Sequence, residues 1–428
     1  MASDTPLLRR IEQKAFRELL ARLYCCGIDE TDIQVKRLAR LLSDFSRQFG
    51  AREGMELFSA PGRTEIGGNH TDHQHGCVVA GSVNLDIAAV AAPNKGGCIR
   101  MISDAAPSVT VALDDLRPNP DERFTSAALI RGIASRFAGE GYAVGGFDLV
   151  ADSTVLKGSG LSSSAAFEVL VGAGINSLFC GGKVSAVDVA KFGQYAENVY
   201  FGKPCGLMDQ LASSVGGFLF IDFAEEAAPR VEKISFDLAA HRHALCIVDS
   251  GADHADLSDV YAAIPEEMAR VAAFFGKTHL REVAPDAMIS SLPSLRKAAG
   301  DRAVLRALHF FKDNQRAIDE ASALKAGRFD DFLALIRDSG RSSAEYLQNT
   351  HVPGSDREQA VDVALALCGE LLGKRGAYRV HGGGFAGTVQ AFVPFDLLEL
   401  FITGIDAALG GGSCHVLSIR PEGGIRLL

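Results

Sequence analysis

The chain has 428 residues, 47% hydrophobic and 22% charged; this excludes a cysteine-stapled miniprotein and wholesale disorder and favours two or three domains sharing a large core. Its 43 basic and 53 acidic residues leave a net charge of −10 with no Lys/Arg cluster, so no nucleic-acid-wrapping surface is expected. Nine cysteines without CxxC spacing argue against a disulfide framework or a zinc knuckle, and reduced thiols fit a cytosol.

Met1 to Gln13 lacks the apolar core of a secretory signal, and no uninterrupted apolar run reaches the roughly 18 residues of a membrane span, so a cytoplasmic protein is expected. Residues 7–50 carry two helical patterns, one on Leu8, Ile11, Phe16, Leu19, Leu20 and Leu23, the other on Leu38, Leu41, Leu42 and Phe45, with Thr31 and Asp32 as the cap of the second. Short apolar runs at 55–59, 87–92, 98–102, 109–113 and 147–150 read as strands, with a helix at 127–138. The chain is then helical from Ser164 to Val215, where the apolar window 165–180 reads as a buried helix despite Glu168 and Asn176. Strands follow at 217–223, 231–236 and 244–249, and amphipathic helices at 256–275, 302–325, 329–346 and 356–372. The end reads strand 377–380, glycine loop, strand 388–393, helix 395–409 and strand 415–419. The layout is α+β, with a break near Glu225 to Val231.

Three loops carry candidate chemistry. Ser59 to Gly76 sets Arg63, Asp72 and three histidines between glycines just after a strand. A metal site on His70, Asp72, His73 and His75 is one reading, though so short a loop needs distant partners. In Leu156 to Ala166, Gly158 and Gly160 free the backbone while Ser162, Ser163 and Ser164 open the buried helix, so its amides and dipole form an anion cradle. An ordinary serine N-cap is the plainer alternative. His381 to Gly387, HGGGFAG, contains G-x-G-x-x-G, but TVQAFV after it reads as strand, which excludes a dinucleotide fingerprint. Gly276-Lys277-Thr278 closes a helix and lacks the leading glycine of a phosphate-binding P-loop.

Taken together, PGRTEIGGNHTDHQHG, GLSSSAA, GGGFAG and AENVYFGKPCGLMDQ (Ala196 to Gln210) resemble, in order, the motifs of the galactokinase family of small-molecule kinases, a group that includes mevalonate and homoserine kinases. The resemblance implies a two-domain α+β fold, ribosomal-protein-S5-like in its N-terminal half and ferredoxin-like in its C-terminal half. Residues 1–228 would form a sugar- and ATP-binding domain with extra N-terminal helices, and 229–428 a domain closing the cleft.

It also implies transfer of a phosphoryl group from ATP, with Mg²⁺, to the anomeric hydroxyl of a galactose-like sugar. In that pattern Asp209 orients or deprotonates the hydroxyl beside Arg63, and Asn69, His70, Asp72, Gly206 and Tyr261 meet the sugar. Gly158, Ser159, Gly160, Leu161, Ser162, Ser163, Ser164 and Ala165 would hold ATP, Ser164 and Glu197 the metal, and Gly382, Gly383 and Gly384 would form the third glycine loop. Sugar and ATP are the expected partners, without nucleic acid or membrane, and a monomer is expected.

Where the family reads N-L-I-G-E-H-T-D this chain reads E-I-G-G-N-H-T-D, so Asn69 replaces the glutamate that meets the sugar 6-hydroxyl. Losing that charge weakens galactose and admits galacturonate or arabinose as competitors. Some relatives bind sugar and ATP only as sensors, but they lose residues that this chain keeps, Arg63, Ser164 and Asp209.

Overall fold

A computed structural model describes residues 6–104, 106–156, 158–225, 227–252 and 257–428. Residues 1–5, Lys157 of the serine loop, Glu226 of the expected break and Asp256 at the start of an expected helix lie outside them.

The first of the two expected N-terminal patterns breaks at Glu12 and Gln13, so the described residues hold three α-helices there, α1 (Pro6–Ile11), α2 (Lys14–Tyr24) and α3 (Asp32–Phe49). Their apolar stripes, with Leu20, Leu23, Leu38, Leu42 and Phe45 at 0–1% exposure, pack on Leu57, Ala88, Val90 and Val150 of the first sheet. The extra helices thus cover a sheet face that would otherwise expose aliphatic side chains to water. Thr31 does precede α3, but its hydroxyl donates to the Ile28 carbonyl at 2.6 Å instead of capping a helix amide.

Next come β1 (Glu56–Gly67), β2 (Cys77–Pro93), β3 (Cys98–Ser103), β4 (Ala106–Ala112), α4 (Ser126–Gly139) and β5 (Phe147–Ser153). Then follow α5 (Ser163–Cys180), α6 (Ala186–Tyr195), a π-helical turn (Ala196–Phe201), α7 (Met208–Val215), β6 (Phe218–Asp222) and β7 (Arg230–Ile234). By length and composition α5 could cross a membrane, but half of it is buried in the fold.

The C-terminal half runs β8 (His243–Asp249), α8 (Ser258–Phe274), α9 (Pro285–Ser290), α10 (Leu292–Ala299), α11 (Asp301–Lys325) and α12 (Phe329–Ser342). A second π-helical turn (Ser343–Leu347) leads to α13 (Ala360–Leu372), β9 (Ala377–Val380), β10 (Thr388–Pro394), α14 (Leu398–Leu409), β11 (Cys414–Leu417) and β12 (Ile425–Arg426). The sequence reading omitted α9, α10 and β12, each of eight residues or fewer and so too short for a periodic pattern to be read along the chain.

The first sheet has the order β12-β1-β2-β5-β3-β4, with β6 on β2 and β7 on β6. The second has the order β11-β8-β10-β9, antiparallel throughout. Numbered within that half its order is 4-1-3-2, the split-βαβ arrangement of ferredoxin-like domains. A division at 228/229 does not follow the sheets, because β7 pairs with β6 and β12 returns to β1.

The first candidate loop is also half strand. β1 continues to Gly67, pairing Arg63 with Ser82 and Thr64 with Gly81, with register shifts around Pro61/Arg63 and Glu65/Gly67. Such bulges re-aim side chains at the end of a strand, and here they lie on either side of Arg63 and Thr64.

Candidate active site

Arg63 reaches from β1 to the first turn of α7. Its Nε donates to Asp209 Oδ1 at 2.7 Å and its Nη2 to Oδ2 at 2.8 Å, a bidentate fork. Its Nη1 donates to the Gly160 carbonyl, and its backbone N–H donates to the Leu161 carbonyl at 3.0 Å. The Arg63 side chain is 8% exposed and that of Asp209 31%, so the carboxylate faces open space with the arginine behind it. Burial alone would raise the Asp209 pKa. The Arg63 charge and the hydrogen bonds from Arg63 and Ser162 outweigh it and hold the group below the usual carboxylate range.

The serine loop is not an ordinary N-cap. Ser162 holds the N-cap position of α5 at φ 52°, but its hydroxyl makes no cap and donates to Asp209 Oδ2. The first-turn amides of Ser163, Ser164 and Ala165 therefore have no side-chain cap, which is the anion-binding arrangement. Gly158 and Gly160 stand at φ 74° and 70°, conformations that other residues resist. Ser159 is tied inward, its hydroxyl donating to the Leu156 carbonyl at 2.8 Å while its carbonyl accepts from Thr388 at 3.0 Å. Leu161 is fully buried under this turn.

The sugar-loop candidates meet the third glycine loop. Asn69 Nδ2 donates to the Gly382 carbonyl at 2.7 Å and to Glu65 Oε1 at 2.9 Å; its Oδ1 accepts from Asn349 at 2.9 Å. His70 Nε2 lies 3.0 Å from the Gly383 carbonyl, and Tyr261 donates to the Gly384 carbonyl at 2.8 Å. Burial lowers the His70 pKa, so the ring is neutral near pH 7. Because a carbonyl only accepts, His70 Nε2 carries the proton and Nδ1 accepts from His73 Nε2 at 3.2 Å. The third loop thus supplies carbonyls that lock the first loop's side chains, a role that glycine content by itself does not reveal.

Position 69 requires a correction. Asn69 is fully buried with its amide committed to protein groups, so its side chain is not open to a sugar. Nor has the carboxylate left the site: Glu65, which stands where the family string has asparagine, bonds Asn69 and accepts from Arg379 at 2.7 Å. The amide and the carboxylate have exchanged places across one hydrogen bond.

Asp72 and Gly206 do come together. A Cβ added to Gly206 would lie 2.5 Å from Asp72 Oδ2, so a larger residue there would have to turn the carboxylate aside. Burial, then the Glu65 charge, pushes the Asp72 carboxyl up to about 6. The suggested histidine metal site does not assemble: among the described residues no three His, Cys, Asp or Glu side chains gather to hold an ion.

Glu197 lies in the first π-helical turn, buried at 3% exposure. Its Oε2 accepts from Gln210 at 2.9 Å, and its Oε1 lies 3.7 Å from Lys203 Nζ. Ser164 is half-buried in the first turn of α5. Both offer the hard oxygens that Mg²⁺ takes alongside substrate phosphates, and so small a protein ligand set is usual for that ion.

Sequence reasoning gave no role to Glu65, Arg379, Asn349, Glu168 or Gln210. Glu168, a charge inside an otherwise apolar helix, was the legible signal. The charged partner of Glu65, Arg379, lies in β9, more than three hundred residues away, and nothing local points to it.

A profile for the GHMP kinases N terminal domain matches residues 128–217, and one for the galactokinase galactose-binding signature matches 43–93. The first span holds the serine loop, Glu197 and Asp209; the second holds Arg63, Asn69, His70 and Asp72. Among solved structures, galactokinase of Lactococcus lactis complexed with galactose is similar at TM-score 0.79 and 22% identity, covering 91% of this chain and 100% of that one. Mevalonate kinase of Methanococcus jannaschii is similar at 0.61 and 14%, covering 86% and 99%. Phosphomevalonate kinase of Streptococcus pneumoniae is similar at 0.58 and 12%, covering 87% and 100%. At these identities the structural likeness speaks for the fold.

Proposed function

We propose that this chain, a member of the galactokinase family of GHMP kinases and a kinase-class phosphotransferase, phosphorylates the anomeric hydroxyl of galactose with ATP. One observation carries the reading: the Arg63–Asp209 fork stands beside the uncapped N-terminus of α5 and is joined to it by Ser162 and Gly160. Anion cradle and hydroxyl-orienting carboxylate therefore lie within one hydrogen-bonded unit.

Phosphoryl transfer passes through a loose transition state, in which positioning and charge matter more than nucleophile activation. Asp209 fits that demand. Its carboxylate accepts three hydrogen bonds and has a depressed pKa, so it is a weak base that orients the hydroxyl and takes the proton late. Arg63 stands beside the place where charge builds on the transferred group. The α5 amides meet the phosphates, and together these groups supply local positive potential in a chain of net charge −10. Ser164 and Glu197 would hold Mg²⁺, which when bound neutralises phosphate charge.

Asp72, the Gly206 backbone and His70 form the sugar side in this reading, with Asn69 and Tyr261 bracing them from behind. Glu65 is buried behind Asn69 and paired with Arg379, so its charge does not rank the sugars; galactose ranks first because the galactose-binding signature spans this loop. The protein is proposed to act as a cytoplasmic monomer.

An ADP-release assay with galactose, galacturonate, arabinose, glucose and N-acetylgalactosamine tests this. Galactose should give the highest kcat/KM; a galacturonate preference would overturn the substrate assignment. Sugar binding without turnover on any of them would instead identify a sensor.

A further inference from the structure

Gln210 follows Asp209 in the first turn of α7 and is fully buried. Its Nε2 donates to Glu168 Oε2 and to Glu197 Oε2, each at 2.9 Å. A primary amide has two N–H groups, so each carboxyl group takes one. Glu168 is fully buried on α5, four residues after Ser164 and therefore on the same helix face, while Glu197 is 3% exposed. Without the amide between them the two buried carboxyl groups would face each other. With it, Oε2 of Glu197 is fixed, while Oε1 lies 3.7 Å from Lys203 Nζ and the Cys205 thiol packs against both Glu197 and Gln210.

The neighbouring residue is held just as firmly, Asp209 by Arg63 and Ser162. One helical turn thus joins the proposed metal carboxylate to the proposed hydroxyl-orienting carboxylate. A carboxylate whose rotamer is already set loses less freedom when it meets a cation, and outer partners of this kind tune affinity in metal sites.

Resting on the reading of Ser164 and Glu197 as metal ligands, we propose that Gln210 is a positioning residue that fixes the Glu197 carboxylate for the divalent cation and ties that cation's binding to the placement of Asp209.

Two variants of the full chain test it. Gln210→Met keeps the volume and removes both N–H donors; Gln210→Asn keeps the amide but withdraws it by one methylene. Mn²⁺ binding in the presence of a non-hydrolysable ATP analogue, followed by electron paramagnetic resonance of free Mn²⁺, should weaken roughly 10- to 100-fold in both. The Mg²⁺ concentration for half-maximal ADP release should rise by a similar factor, with the sugar KM unchanged. Wild-type Mn²⁺ affinity in either variant would overturn the proposal, and so would failure of both to fold, which would make Gln210 a stability residue. Glu197→Gln separates the two readings. If it too keeps wild-type Mn²⁺ affinity, the metal assignment falls; if it loses affinity while Q210M keeps it, only the role of Gln210 falls.

Discussion

Two Arg–Asp clusters in this molecule share their ingredients and differ in what they leave open. Asp86, fully buried, accepts from Arg37 at 2.6 Å, from Tyr24 at 2.7 Å, from Ser59, and from Arg420 at 3.4 Å. These partners come from α2, α3, β1 and the tail after β11, so the cluster ties both chain ends to the first sheet. Asp209 likewise accepts from an arginine and a serine, yet its side chain stays 31% exposed. In both, burial opposes ionisation and arginine overcomes it, leaving each pKa below the usual range. The difference is one of closure: a cluster with no face left for solvent supports the fold, and one with an open face can meet a substrate.

The largest expected effect is on the open side. Asp209→Asn should lower kcat by about 10² to 10⁴ in the ADP-release assay, with a smaller melting shift than any Asp86 substitution. Equal melting losses at the two positions would abolish the contrast. Asp86→Ala should reduce the unfolding free energy by about 3–5 kcal/mol in urea, because it strands buried arginines, while activity per folded molecule stays near wild type.

Gly206→Ala brings a Cβ to 2.5 Å from Asp72 Oδ2 and turns that carboxylate aside, so the sugar KM should rise with little change in the ATP KM. Ser162→Ala removes one of the bonds that hold the Asp209 pKa down. Activity needs the carboxylate, which is lost as pH falls through its depressed pKa, so the acid limb of kcat/KM should move to higher pH; an unmoved limb would show that Ser162 does not tune Asp209. At Asp72 the test is one of stability and not of activity. Its pKa of about 6 is raised, so its folded form is penalised as pH climbs above the unfolded value through 6. Urea titrations should therefore show Asp72→Asn gaining stability relative to wild type between pH 4 and 7, and a constant difference would refute the assignment.

The sequence reading and the structure agree where chemistry is local. The serine loop lies at the start of a buried helix because its glycines and serines are contiguous, and TVQAFV is the strand that excluded a dinucleotide fold. They part where partners are distant. Arg63 belongs to a strand and not to a free loop, because residues 63–67 find β2 to pair with. The tail returns to β1 because two residues, Ile425 and Arg426, find an edge there, a pairing too short to leave a pattern.

The resemblance to galactokinases, the order of the glycine loops, and Arg63 and Asp209 as catalytic candidates were legible along the chain, since motif identity and spacing belong to the sequence. Only the tertiary structure decided which groups those residues face. It set Glu65 and Arg379 against Asn69, turned the third loop's carbonyls onto the sugar loop, and put Gln210 between two carboxyl groups. The reason is physical: a buried polar group takes whatever partner the packing brings within about 3 Å, and strand register and helix contact, not sequence spacing, bring it there.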